Sequence, residues 1–371
     1  MSQRTGMEVS IALAEAVGVS RAEVIAAYPI TPQTHIVEHL AEMVAEGRLD
    51  AEYVAVESEH SAISACLGSS AAGARTFTAS ASQGLAFMHE ILFIASSMRL
   101  PLVMAVANRA LSAPINILPD HSDIMPERDI GWVQLFAENG QEVHDLTLQA
   151  FKLGEDPRLL LPVLISLDGF YLSHMIEPIT LISQEEADAF LPPCSLEPRL
   201  DPAKPRSLGS LGGAEVYTEV KEQQNNALSR SPEVLKELWG QFAEQFGRTY
   251  RSVETYAMDN AEIALITMGA VSETARSAVD QLRSRGIRAG LVRIRLWRPF
   301  PAQELRTCLA GVERVVVLDR MLSPGSTSGP LGLEVQSVFY HQAGRPLIDC
   351  FTAGLGGRVL GRRTFVEMVT R

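Results

Sequence analysis

Apolar positions fall along this chain in two patterns. In one they recur every three to four residues, as on one face of a helix; in the other they form short unbroken runs, as in strands buried on both faces. The first half alternates between the two. The spacing predicts helices over Met7–Ala16, Pro32–Ala45, Ser58–Gly73, Gly84–Met98 and Val143–Gly154. Between them it predicts strands over Val24–Ala27, Ala51–Val56, Arg75–Ala79, Leu102–Ala107 and Pro162–Leu167. Strands that alternate with helices predict a parallel sheet wrapped by helices.

From about Leu191 the pattern stops. The stretch PPCSLEPRLDPAKPRSLGSLGG is rich in proline and glycine and reads as a connection over the surface. A helix is predicted over Ser231–Thr255, where Leu235, Leu238, Trp239, Phe242 and Phe246 form a packing stripe. A second alternation begins at Ala261: strands at AEIALITMG, Ala289–Leu296, Arg314–Leu318 and Pro346–Phe351, helices over Ser272–Arg285 and Leu331–Tyr340. The expected division is 1–194, a 195–258 linker containing a helix, and a smaller α/β domain over 259–371.

With 371 residues the chain can bury two cores. A net charge of −12 speaks against a nucleic-acid surface, which needs a basic face, but a single arginine can still hold an anionic substrate. Cys66, Cys194, Cys308 and Cys350 form no CxxC pair, so neither a zinc site nor an iron–sulfur cluster is expected here. Scattered cysteines suit a reducing cytoplasm. The start, MSQRTGMEVS, has no apolar signal core, and no run approaches the roughly 20 apolar residues of a membrane span. The expectation is a cytoplasmic protein with no membrane span and no nucleic-acid partner.

Candidate chemistry sits where strands end. After the first strand comes Ala27-Tyr28-Pro29-Ile30-Thr31-Pro32-Gln33-Thr34, a loop that two prolines stiffen, and it presents Thr31 where ligands bind in α/β folds. The stretch Glu57-Ser58-Glu59-His60-Ser61-Ala62 opens a helix made of very small residues. Acids there answer the helix dipole, and Glu57 fits that use. Glu59 stands at the mouth of a bare helix that another backbone can approach closely; desolvated there, it would need a protonated partner. Ser80-Ala81-Ser82-Gln83-Gly84 either caps a helix or offers polar groups to a ligand. Arg109 follows a strongly apolar strand; its fork suits a substrate carboxylate, or a salt bridge to Asp120, Asp123 or Glu127. His121-Ser122-Asp123 and His89-Glu90 lack a metalloprotease spacing, so no metal site is expected. Asp168-Gly169-Phe170 has no accompanying kinase motifs, and Gly354–Arg358 (GLGGR) completes no dinucleotide fingerprint.

Taken together, AYPITP, ESEHSA, TFTASASQGL, ANRALSAPIN, DHSDIMPERDIGW, LDGFYLSH, GLVRIRLWRPFP and AGLGGR resemble the α subunit in the 2-oxoacid:ferredoxin oxidoreductase family. The pieces cover nearly the whole chain in order, most weakly over about 195–258. The resemblance implies a domain that binds the aminopyrimidine of thiamine diphosphate, followed by one like the carboxy-terminal domain of transketolases. It makes Glu59 the carboxylate that bonds the pyrimidine nitrogen and favours the imino tautomer. Ser82 and Gln83 are the candidates to line the cofactor beside it. It sets Thr31 and Arg109 against the 2-oxoacid, Thr31 as donor to the keto or carboxylate oxygen and Arg109 as holder of the carboxylate.

The GDG…NN diphosphate motif of thiamine enzymes is absent, as are cluster cysteines. The resemblance therefore implies a cofactor shared with a β subunit that binds its diphosphate, with Mg²⁺ and 4Fe–4S clusters in partner subunits, among them γ and a ferredoxin-like δ. The implied reaction turns pyruvate and coenzyme A into acetyl-CoA, CO₂ and reduced ferredoxin, reversibly. Phenylglyoxylate or a branched-chain acid is the alternative substrate. Two other readings are the β-like chain of a 2-oxoacid dehydrogenase, against which AYPITP and ANRA speak, and an assembly subunit without chemistry, against which Thr31, Glu59 and Arg109 speak.

Overall fold

A computed structural model describes residues 4–197 and 199–371; Met1, Ser2, Gln3 and Pro198, which fall within the first domain and the linker expected from sequence, lie outside the described residues. The first part holds strands β1 (Arg4–Glu8), β2 (Val24–Ala27), β3 (Glu52–Ala55), β4 (Thr76–Ser80), β5 (Val103–Asn108), β6 (Val133–Phe136), β7 (Val163–Asp168) and β8 (Ile176–Thr180). Its helices are α1 (Val9–Val19), α2 (Thr34–Ala45), α3 (Glu59–Ala71), α4 (Ser82–Ser97), α5 (Gly140–Gly154) and α6 (Gln184–Phe190). The remainder holds α7 (Ala214–Phe246), β9 (Val253–Tyr256), β10 (Ile263–Thr267), α8 (Val271–Ser284), β11 (Ala289–Ile294), β12 (Leu296–Arg298), α9 (Ala302–Cys308), β13 (Arg314–Asp319), α10 (Pro330–Phe339), β14 (Leu347–Thr352) and α11 (Arg362–Thr370).

The large sheet runs β12-β6-β7-β5-β4-β2-β3, parallel throughout except for β12 at its edge. The smaller sheet runs β14-β13-β10-β11-β9, with only β9 antiparallel. Strands β4, β5 and β7 are buried along their whole length, which is why they read as unbroken apolar runs. One apolar cluster lies under α1, α2 and α5. Another joins α3 and α4 to Trp297, Val315 and Leu331, so the two sheets share a continuous core.

The 195–258 stretch differs from a simple linker. The helix begins at Ala214, not Ser231, and ends at Gly247, so the helical reading of 248–255 is corrected: Val253–Tyr256 is the strand β9. Proline at 232 looks like a helix start, but here it stands inside the helix and cannot donate to the Leu228 carbonyl. The Ser231 hydroxyl donates to that carbonyl at 2.7 Å instead. Leu235, Leu238, Trp239 and Phe242 bury their predicted stripe in the first core, and Trp239 Nε1 donates to Gln149 Oε1 at 2.9 Å. Residues 296–298, inside the expected second domain, add the edge strand β12 to the first sheet. Buried ion pairs cross the same boundary: Arg293 and Arg295 both reach Glu142, at 2.7 and 2.6 Å.

Candidate functional site

The parallel strands β2, β4, β5 and β7 deliver their carboxyl ends to one edge of the large sheet, and every sequence-predicted site residue lies in the turns there or at the heads of α3 and α4. The AYPITP loop is stapled from below. Gln33 is fully buried, and its Nε2 donates to the Tyr28 carbonyl at 2.9 Å and to the Ala79 carbonyl, at the end of β4, at 3.2 Å. Thr31 is exposed. Its carbonyl is engaged from within the chain: Arg109 Nη1 donates to it at 3.0 Å.

Arg109 is 8% exposed, and its Nε donates to the Asn116 carbonyl at 2.9 Å. None of the three acids weighed from sequence pairs with its guanidinium. Asp120 accepts from Ser122 and from the Gly356 amide, and Glu127 engages His89 Nδ1 at 2.6 Å. Asp123 instead ties backbone together: its Oδ2 accepts from the Arg109 amide at 2.9 Å and the Ser82 amide at 3.1 Å, and its Oδ1 from Asn108 Nδ2 at 3.0 Å. Burial pushes the Asp123 carboxyl up to about 7, against the pull of those donors. Arg109 therefore holds a nearly buried positive charge with two neutral carbonyls and, among the described residues, no counter-ion.

Glu59 is the first residue of α3, behind the N-cap Ser58, whose Oγ accepts from the Ser61 amide at 3.1 Å. The neighbouring acid Glu57 is exposed and takes the Ser61 hydroxyl, as a helix-start acid does. Glu59 is 8% exposed and has no hydrogen-bond or ion-pair partner among the described residues. It is packed against Gly84: a Cβ at that position would stand 2.6 Å from Glu59 Oε1 and 2.6 Å from Ser80 Oγ. The Ser80 hydroxyl is itself buried and, among the described residues, unpartnered. Ser82, fully buried, takes a left-handed conformation (φ +49°), a cost of about 1–2 kcal/mol for a residue with a Cβ. That geometry aims its amide at Asp123, while its Oγ lies 2.8 Å from the Ala110 carbonyl and 2.6 Å from Gln83 Oε1. The turn Ser80–Gly84 thus links the two charges, touching Glu59 directly and Arg109 through Asp123.

The smaller domain braces this edge. Asp168, at the end of β7, pairs with Arg320 and accepts from the Ala270 amide at 3.0 Å. His121 lies beside them; burial and the Arg320 charge hold its ring down to about 3, so it is neutral. Asp168-Gly169 is accordingly an anchor between domains. The GLGGR turn has a mechanical use too: Gly357 donates to the Pro119 carbonyl at 2.9 Å, and the Gly356 carbonyl accepts from Asn116 Nδ2 at 3.0 Å. Both glycines have positive φ, and a Cβ on either would collide with Asn116 or Leu118. The loop whose Asn116 carbonyl grips Arg109 is therefore shaped by the other domain. Gln33, Asn108 and Asn116 stand inside the quoted motifs, but nothing in their spacing distinguishes them; Asp123 is marked only as an acid near Arg109.

Residues 16–239 match the family of the thiamine diphosphate-binding domain of pyruvate flavodoxin/ferredoxin oxidoreductase, and 261–364 match core domain II of pyruvate:ferredoxin oxidoreductase. Among curated proteins, the pyruvate synthase subunit PorA of Methanocaldococcus jannaschii is 49% identical over 352 residues, covering 94% of this chain and 89% of that one. The ketoisovalerate oxidoreductase subunit VorA of Pyrococcus abyssi is 42% identical over 349 residues, covering 94% and 88%. Two solved structures share the fold. The 2-oxoglutarate:ferredoxin oxidoreductase of Magnetococcus marinus superposes with TM-score 0.76 at 17% identity over the whole of this chain, which spans 65% of its length. A split-gene transketolase superposes with TM-score 0.56 at 13% identity, covering 99% and 98%. The two α/β domains expected from sequence are thus present, and the chain belongs to the pyruvate flavodoxin/ferredoxin oxidoreductase family.

Proposed function

We propose that this chain is the α subunit of a multi-subunit, thiamine-dependent pyruvate:ferredoxin oxidoreductase, acting in the reversible conversion of pyruvate and coenzyme A to acetyl-CoA, CO₂ and reduced ferredoxin. One observation carries the reading: Glu59 and Arg109 are nearly buried charges of opposite sign, neither has a counter-ion among the described residues, and both are tied to the Ser80–Gly84 turn. Buried charges without partners are costly, and such sites are held for ligands.

The residues at Glu59 fit an aminopyrimidine: a carboxylate on a residue 8% exposed and a buried hydroxyl, both without partners among the described residues, packed over a glycine whose missing side chain lets them come close. When bound, thiamine diphosphate supplies a nucleophilic carbon that adds to the 2-oxo group and takes up the electron pair released with CO₂. Glu59 holds a proton at the pyrimidine nitrogen, and Ser82 and Gln83 line the cofactor. Arg109 holds the substrate carboxylate with its remaining N–H donors, oriented by the Thr31 and Asn116 carbonyls. The Thr31 hydroxyl, which makes no hydrogen bond among the described residues, donates to the keto or carboxylate oxygen. A β subunit supplies the diphosphate site and Mg²⁺, and further subunits carry the 4Fe–4S clusters. In support, the four cysteines stand apart and free, and Phe87 and Ile94 leave an apolar face of α4 open to another chain.

Glu59→Gln nearly keeps the shape and removes the carboxylate. In the assembled enzyme it is expected to lower turnover at least about a hundredfold with subunit assembly intact. Near-parental turnover would sink the reading. The 42% identity to a ketoisovalerate oxidoreductase subunit supports a branched-chain 2-oxoacid as second substrate, which the ratio of kcat/KM for the two acids decides.

A further inference from the structure

Glu8 ends β1, His35 lies in the first turn of α2, and His174 follows β7. Far apart in the chain, they meet at one place: one ligand-capable atom from each lies within 4.8 Å of those of the other two. His35 Nδ1 is 2.7 Å from Glu8 Oε1, and the two imidazole rings lie 4.4 Å apart at 37°. The backbone beneath is fixed, with the Val9 amide donating to the Met175 carbonyl at 3.0 Å and the Ser10 amide to the Ser173 carbonyl at 2.9 Å. The Ser173 hydroxyl is 2.7 Å from His174 Nδ1, which orients that ring and leaves its Nε2 for a ligand.

We propose that Glu8, His35 and His174 form a binding site for a divalent first-row transition ion of the zinc type. Two imidazoles and one carboxylate are a donor set that such ions take, with water completing the coordination. Ligating histidines are usually held through their far ring nitrogen by an oxygen, most often of a carboxylate, carbonyl or water; here the Ser173 hydroxyl takes that place. Bonds of about 2.0–2.2 Å place two ligands of a tetrahedral ion roughly 3.3–3.6 Å apart. The Glu8–His35 pair, at 2.7 Å, is tighter than that, while the three donor atoms together lie within 4.8 Å, and the partly exposed Glu8 and His35 side chains have room to adjust. A simple Glu8–His35 ion pair needs no third group; His174 turns the pair into a chelate.

The ion would join the first turn of α2, directly after Pro32 and Gln33, to the turn that follows β7. That turn already packs on the same loop, since a Cβ at Gly169 would collide with Pro32 Cγ. Binding would thus stiffen the segment carrying Thr31 from behind. The inference stands on geometry alone and does not depend on the function proposed above.

The test uses the tag-free full chain after chelator dialysis. Co²⁺ is titrated with visible absorption as readout, then Zn²⁺ by calorimetry and thermal melting. The expected result is one equivalent of Co²⁺ with d–d bands that Zn²⁺ bleaches, and a Zn²⁺-dependent rise in Tm. Glu8→Gln, His35→Gln and His174→Gln should each weaken binding at least about tenfold. His39→Gln, which breaks a comparable pair (His39 Nε2 to Glu15 Oε1, 2.8 Å) whose further acid, Glu42, sits on the opposite ring nitrogen at 3.6 Å, should leave it unchanged. The inference is overturned if the parent binds no more metal than the His35→Gln/His174→Gln double variant, or if His39→Gln weakens binding as much as the others. Because the three variants alter three separate segments, the loss of any one to misfolding leaves two to decide.

Discussion

Gly84→Ala separates the needs of the fold from those of the site. Gly84 lies in the first turn of α4, where alanine is the better helix former by up to about 1 kcal/mol. The added methyl would stand 2.6 Å from Glu59 Oε1, 2.6 Å from Ser80 Oγ and 2.8 Å from Glu59 Cγ. Ordinary contacts are several tenths of an ångström longer, so the Glu59 side chain must turn away, at an off-rotamer cost of about 0.5–1.5 kcal/mol. The two terms nearly cancel, and Tm should stay within about 4 °C of the parent. The carboxylate, however, leaves its place by a good fraction of an ångström, and displacements near 1 Å cost up to about a hundredfold in rate. The expected outcome in enzyme assembled with its partner subunits is a tenfold to hundredfold loss of turnover and weaker retention of thiamine diphosphate, with assembly intact. The assay pairs pyruvate-dependent reduction of a dye with cofactor measured after gel filtration. Parental turnover and occupancy would refute the reasoning, since Glu59 would then have no defined place to lose.

Arg109→Lys keeps the charge but cannot hold both the Thr31 and Asn116 carbonyls and a substrate; losing one charge-assisted hydrogen bond, about 1.5–3 kcal/mol, should raise KM for the 2-oxoacid roughly tenfold to a hundredfold with the coenzyme A dependence unchanged. Equal change in both KM values would point to a structural arginine. Asp168→Asn leaves Arg320 buried without its partner and should cost about 3–5 kcal/mol in denaturant unfolding; a loss below about 1 kcal/mol would show that the domains are held without this pair. Burial alone would raise the Glu142 carboxyl, but Arg295 and Arg293 outweigh it and hold it at about 2. A depressed acid stabilises above its unfolded value of about 4.3, so on the order of 3 kcal/mol should be lost as pH falls from about 4.3 toward 2. Glu142→Gln should be less stable at neutral pH and flatter across that acid window; an unchanged acid slope would contradict the assignment.

Local pattern was enough for the strands that build the site. Stretches such as LVMAVA and PVLISL are buried on both faces, and that burial is written as an unbroken apolar run. The loops that follow were equally legible, because proline, glycine and small polar residues act on their own backbone. Strands β1, β8, β9 and β12 left no such mark. They are three to five residues long with mixed exposure, and their order comes from partners far away, as Arg4 opposite Thr180 or Leu296 opposite Leu135. The helix start expected at Ser231 suits the local rule for proline, yet the helix already runs from Ala214, and the Ser231 hydroxyl takes the Leu228 carbonyl that Pro232 cannot.

The identities of Glu59, Arg109 and Thr31 were read from the sequence; their surroundings were not. Three acids lie close to Arg109 in the chain, and only the fold assigned Asp120 to Gly356, Asp123 to two backbone amides and Glu127 to His89, leaving the arginine without a counter-ion among the described residues. Likewise only the fold placed Asp168 against Arg320, and Glu8, His35 and His174 against one another. Helix and strand periodicity describe one segment and the water or core on its two sides. Charge pairing depends on distances of a few ångströms between segments remote in sequence, and those are set only when the sheets close over their shared core.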